Sequence, residues 1–265
     1  MLQVQLPQER GGLCAGALYL HSDTASCSPA LKRLQSLAES YAERHADIGA
    51  TVEIMRNQIF VMQIDSPEEL MRVVDKQVPQ FVAQRFVRLL VIDSIAGLYR
   101  TSAEEVVAAG GDAASAHGAR AQHTMRLAAR LKQLGSELEL TIVVLNQVSD
   151  KPLDAAQRRV AAPWETGPCA TPDGASMRVP ALGAAWGCCV NTRLVLTRTS
   201  TVGGDDDEGA SAAMPTAAAA AAQPTGAAAA SGWRRWMHVA WSPRVPACSV
   251  PFEVRDAGVA GLAFG

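Results

Sequence analysis

Residues 86–100 read "FVRLLVIDSIAGLYR". Val87 to Ile92 is a run of branched apolar residues interrupted only by Arg88, and it stops abruptly at Asp93 and Ser94. A short apolar run of this kind, rich in Val, Leu and Ile, is what a strand buried on both faces requires. The carboxylate at its end has two uses. Asp can cap the turn that follows, or it can stand rigidly at a sheet edge and orient waters around a magnesium ion. The stretch alone leaves both open.

Similar segments lie on either side. "ALYL" (17–20) is apolar and ends at His21, Ser22 and Asp23, and "ELTIVVLNQ" (139–147) ends in Asn146 and Gln147. Between them, Ser28 and Pro29 open a helical pattern in which Leu31, Leu34, Leu37, Ala38 and Tyr41 repeat on one face. "ATVEIMRNQIFVMQI" (50–64) reads as β-rich. Ser66, Pro67 and Glu69 form a capping box with a pre-set first turn, and Pro79 should kink or split the helix they begin. Residues 119–134 are helical, with Leu127, Leu131 and Leu134 on one face. Strand, helix, strand, helix, strand at these spacings predicts an α/β fold: a mostly parallel sheet with helices on both faces, followed by late strands "NTRLVLTR" and "RWMHVAW". Ligands bind such sheets beyond the carboxyl ends of the strands. Asp23, Asp93-Ser94 and Asn146-Gln147 all fall on that edge.

Two stretches read as loops. Residues 101–118 are small, Gly-rich and weakly acidic, and residues 148–180 are rich in Pro, Gly, Ala and Arg. Residues 203–232 are of low complexity, four acids followed by broken alanine tracts, and read as a disordered hairpin insertion.

Composition narrows the function classes. Apolar residues make up 48% of the 265, charged residues 19%, and the net charge is −2, so a strongly basic nucleic-acid binder is not indicated. No 18-residue apolar run marks a membrane span. The six cysteines form no C-x-x-C pair and read as buried free thiols. No G-x-G occurs, so a dinucleotide fingerprint is missing, and no G-x-S-x-G elbow is present. None of the four lysines (Lys32, Lys76, Lys132, Lys151) follows a glycine, so the chain holds no phosphate loop.

The order of segments nevertheless resembles a known family. "QLPQERGG", "GALYLHSD", "VRLLVIDSIAGLYR", "LTIVVLNQV", "VPALGAAWGCCVNTRLVLTR" and a late Ser-Pro before "PFEV" are similar to the RecA-like core of the eukaryotic strand-exchange recombinases. The nearest likeness is to the paralogues that assist the main recombinase, and among them to the X-ray repair cross-complementing class. The resemblance implies one partial RecA-like ATPase core over 1–265, homologous-recombination repair of double-strand breaks and crosslinks, ATP and magnesium as cofactors, and a nuclear location. The partners it implies are single-stranded or branched DNA, another paralogue and the main recombinase.

Position by position, the resemblance puts Asp93, with Ser94, at the magnesium-side carboxylate. Asp23 falls where the family has a water-activating glutamate. The shorter side chain would stand roughly 1.5 Å farther back, so hydrolysis should be weak. Gln147 falls at the residue that senses the γ-phosphate. Loops 101–118 and 148–180 match the DNA-facing loops. The first is acidic, whereas the second carries Lys151, Arg158, Arg159 and Arg178 for phosphates and Trp164 for stacking. Ser242 and Pro243 match a segment that covers the neighbouring subunit's nucleotide. Arg234 and Arg235 serve either that pairing or as charges guarding an edge strand. The family's phosphate loop would lie upstream of "LQVQLP", so the chain is expected to be a truncated form of a longer protein. Its sheet should then leave an apolar face exposed. A second reading stays open: a non-catalytic adaptor that binds other paralogues and no nucleotide.

Overall fold

The computed structural model describes residues 1–22, 29–100, 113–152, 176–200 and 233–262. The chain divides into two compact units, residues 1–149 with 180–190, and residues 150–179 with 191–265.

The first unit is built on four strands: β1 (Gly16–His21), β2 (Ile59–Gln63), β3 (Val87–Asp93) and β4 (Thr141–Val144). Their order is β2-β1-β3-β4, and every neighbour is parallel. β1 and β3 are central; β1 is buried at every residue, which explains its unbroken apolar run, whereas β3 mixes buried and half-buried residues and carries Arg88. Gly16 opens β1 where a Cβ would lie 2.8 Å from the Gln58 carbonyl oxygen, so only glycine fits.

One face of the sheet presents Leu18, Leu20, Leu90 and Ile92 to the main core. Against it pack α3 (Pro67–Arg72), a π turn (Val73–Gln77), α4 (Val78–Arg85), α5 (95–100) and α6 (Ala113–Glu137). The capping box forms at α3, where the Ser66 hydroxyl accepts from Glu69 N at 3.1 Å. Glu69 reaches one residue farther back than the motif requires, to Asp65 N at 2.9 Å. Pro79 does not break the helix. The chain widens into the π turn, and Pro79 falls in the first turn of α4, where its missing N–H is not needed. In α6, Leu127, Leu131 and Leu134 are all buried, as their spacing predicts.

On the other side, α1 (Pro29–Arg44) and the first residues of the chain form a second cluster of Leu2, Leu6, Ala38 and Met55, with Ile59 of β2 against it. Farther along that face, Val143 and Leu145 are 45% and 41% exposed, and Val61 is similarly open.

The second unit carries an antiparallel sheet of β7 (Arg193–Ser200), β8 (Trp233–Trp241), β9 (Cys248–Arg255) and β10 (Gly258–Gly261), in the order β10-β9-β8-β7.

Five expectations need correction. Residues 52–57 are helical (α2, Val52–Asn57) rather than β-rich, because Thr51 caps them by accepting from Ile54 N at 3.2 Å and Met55 is buried. Helix α6 begins at Ala113, so the end of the presumed 101–118 loop is helical. The 148–180 segment is not loop throughout, since β5 (Val148–Pro152) and β6 (Ser176–Pro180) pair. Arg234 and Arg235 do not guard an edge, because β8 is an inner strand. Cys14, Cys188 and Cys248 are exposed, so these free thiols are not core residues, and Cys189 is half-buried against the main core.

Candidate functional site

Three strand ends meet at the carboxyl edge of the parallel sheet. His21 stands opposite Asp93 in register, and the next residues bind directly: Ser22 N donates to Asp93 O at 2.9 Å. Leu145 N donates to Ile92 O at 2.9 Å, and Ile95 N to Leu145 O at 3.1 Å. The turn after β3 is thereby stitched to both neighbouring strands. Asp93 and Ser94 are thereby tied to the ends of β1 and β4, and Gln147 follows β4 by three residues.

Ser22 holds the turn most closely. Its hydroxyl donates to Ser94 O at 2.9 Å and accepts from Ser94 N at 3.2 Å. The Asp93–Ser94 peptide is cis. Gly97 makes room for this arrangement, since a Cβ there would lie 2.9 Å from the Ser22 oxygen. The Asp93 carboxylate, half-buried, accepts at Oδ2 from the Tyr19 hydroxyl at 2.7 Å. Tyr19 is buried and stacks on His21, with ring centroids 5.8 Å apart and planes at 18°. Asp93 therefore does not serve as a side-chain cap for α5: among the described residues its carboxylate meets Tyr19.

Gln147 is exposed, accepts from Arg100 at the end of α5, and receives Ala181 N at its backbone carbonyl at 2.9 Å. Asn146 Oδ1 is buried and has no hydrogen-bond partner among the described residues. The root of α5 is held on its other side by Tyr99, whose hydroxyl lies 2.6 Å from His123 Nδ1 of α6. Burial pushes the Tyr99 hydroxyl up, with Glu68 adding to the shift, and burial pulls the His123 imidazole down.

A divalent cation fits here only as a water-bound guest. Among the described residues no group of three or more His, Cys, Asp or Glu could cage a metal. Asp93 has one oxygen committed to Tyr19 and one remaining, the single carboxylate contact that suits a magnesium ion keeping most of its waters.

Asp23, Arg158, Arg159 and Trp164 lie outside the described residues, as does the 203–232 insertion. Lys151 and Arg178 stand on β5 and β6, which pair. Ser242 and Pro243 follow β8 in the second unit, where the Ser242 hydroxyl accepts from Arg244 N and lies 3.2 Å from Thr192 Oγ1. The sequence did not single out Tyr19, Ser22 or Gly97. All three act across 70 or more residues, or against a side chain from another strand, and no local pattern marks that.

Comparison with known proteins gives a consistent result. A family model for Rad51 matches residues 1–168, which contain the whole parallel sheet. The DNA repair protein XRCC3 of Bos taurus is 32% identical over 200 residues, covering 74% of this chain and 51% of that protein. The DNA repair protein XRCC3 homolog of Arabidopsis thaliana is 28% identical, with coverages of 75% and 62%. The DNA repair protein rhp57 of Schizosaccharomyces pombe is 24% identical, with coverages of 74% and 57%. The chain spans about half to three fifths of the length of these relatives.

Proposed function

Because the chain belongs to the Rad51 family, and within it to the XRCC3-type paralogues, we propose that it acts in DNA repair by homologous recombination, assisting the main strand-exchange recombinase. The observation that supports this reading is the hydrogen-bonded joining of the β1, β3 and β4 ends around Asp93 and Ser94, with Gln147 shortly after β4. The family binds ATP with magnesium. A magnesium ion there would supply neutralisation of phosphate charge. Asp93 would orient its waters, Ser94 would stand beside them, and Gln147 would report the nucleotide to Arg100 at the root of the 101–112 segment. Asp23, one residue beyond Ser22, is proposed as the weak base. DNA contact is assigned to Lys151, Arg158, Arg159 and Arg178, with cations meeting phosphates. Ser242 and Pro243 are assigned to subunit contact, and the site of action to the nucleus. Residues 1–265 are read as one partial ATPase core.

A second reading, a non-catalytic adaptor for other paralogues, is favoured by the exposed Val143 and Leu145 at the β4 edge and by the lack of any Gly-Lys pair. Three measurements on the purified 265-residue chain test these readings: capture of a recombinase paralogue, fluorescence anisotropy with single-stranded DNA, and equilibrium dialysis with ATP and magnesium. Paralogue binding and salt-dependent DNA binding, weakened by Arg158→Glu with Arg159→Glu, are expected, with ATP binding undetectable. Tight magnesium-dependent ATP binding would count against the adaptor. Failure to bind DNA or any paralogue would sink both.

A further inference from the structure

A carboxylate at a strand end can turn about two side-chain bonds, and only a fixed one presents a defined oxygen to a cation's waters. The backbone hydrogen bonds around Asp93 hold its main chain and leave those side-chain bonds untouched. The Ser22 hydroxyl likewise grips the Ser94 peptide and not the carboxylate. The Tyr19 hydroxyl, 2.7 Å from Oδ2, is what addresses the carboxylate itself.

Tyr19 is well placed to do so. It stands on the central strand β1, in register with Val91, so its side chain lies on the same sheet face as Asp93, two residues on. Its ring is buried and stacked on His21, which itself faces Asp93 in register. A rigid ring with two side-chain torsions loses little entropy when it donates, and a hydrogen bond to an ionised acceptor is among the stronger kinds. A phenol also donates only one hydrogen, so it takes one carboxylate oxygen and leaves the other.

We infer that Tyr19 is a positioning residue that clamps the Asp93 carboxylate in one rotamer by occupying Oδ2, so that Oδ1 alone meets a water-bound divalent cation. The cation's part in this rests on the proposed magnesium-side role of Asp93. The clamp does not.

The test uses the full 265-residue chain with ¹³C-labelled aspartate, the Tyr19→Phe variant, and Asp93→Asn to assign the signal. Phe keeps the ring and the His21 stack and removes only the hydroxyl. In the unmutated chain, Asp93 should show the couplings of a single rotamer, and its carboxyl carbon should shift when the phenol proton is exchanged for deuterium. In Tyr19→Phe that isotope shift should vanish and the couplings should average, while other amide signals stay in place. Manganese ion alone serves as the metal probe, read by broadening of the Ser94 amide. Its affinity should fall about 10-fold in Tyr19→Phe, as when outer-shell partners of metal ligands are lost.

A single Asp93 rotamer persisting in Tyr19→Phe overturns the inference. So does the absence of any isotope shift in the unmutated chain, a reading that holds even if the variant fails to fold. If the clamp is seen but manganese broadens nothing near Ser94, the magnesium role of Asp93 falls and the clamp stands.

Discussion

The parallel sheet of the first unit and the antiparallel sheet of the second put their polar groups in different places. In the first, β1 is apolar until it stops at His21-Ser22, and β3, apart from Arg88 at its start, is apolar until Asp93-Ser94. In the second, polar groups cross the middle of a face: Thr197 Oγ1 lies 2.9 Å from His238 Nε2, and His238 Nδ1 lies 2.7 Å from Ser249 Oγ. The opposite face exposes Leu194, Leu196, Val254 and Val259. The apolar central strands of the first sheet leave hydrophilic chemistry mainly to their ends. A sheet with an open face can hold a hydrogen-bonded ladder in its middle. The contrast teaches where to look: a site at the edge of the first sheet, and a contact surface on the second.

The largest test of this contrast is a pair of truncations. Leu90→Ala, at a fully buried position of β3, should cost about 3 kcal/mol in urea unfolding. Leu196→Ala, 67% exposed on β7, should change stability by less than about 0.5 kcal/mol. Hydrogen exchange followed separately in the two units checks both, and similar losses would erase the distinction drawn between the sheets. A smaller effect is expected from Ser249→Ala, which leaves His238 Nδ1 without its partner. About 1 kcal/mol should be lost, confined to exchange in the second unit. A comparable loss of about 1 kcal/mol, confined to the first unit, should follow Ser66→Ala through the cap of α3.

The finest test is acid. Burial lowers both His123 in the first unit and His238 in the second below their ordinary value near 6.5. The unfolded chain therefore takes up a proton first. The stability contributed by each neutral imidazole is complete above about pH 6.5 and is lost as pH falls from there toward the folded value. Histidine titration by NMR, with unfolding measured from pH 8 to pH 5, should show both units weakening in that direction. Stability that rises on acidification would contradict it.

Much of this was readable in advance, and the reasons are local. The capping box at Ser66 and Glu69, the leucine face of α6 and the apolar runs of β1, β3 and β4 each follow from residues within one or two turns of each other. The ends of those runs gave Asp93 and Gln147 directly. Residues 52–57 were misread because Val52 and Ile54 favour strands, while the Thr51 cap and the burial of Met55 favour a helix and prevail.

By itself, then, the sequence determined most of the element types, the parallel class of the first sheet, and where the apolar runs of β1, β3 and β4 stop. These depend on local periodicity. Only the tertiary structure decided what surrounds them. Strand order and register bring Tyr19 to Asp93 across 74 residues, Ser22 to Ser94 across 72, and Arg100 to Gln147 across 47. Such pairs are set by which strand lies beside which. That choice is made by the packing of whole faces, and no neighbouring residue records it.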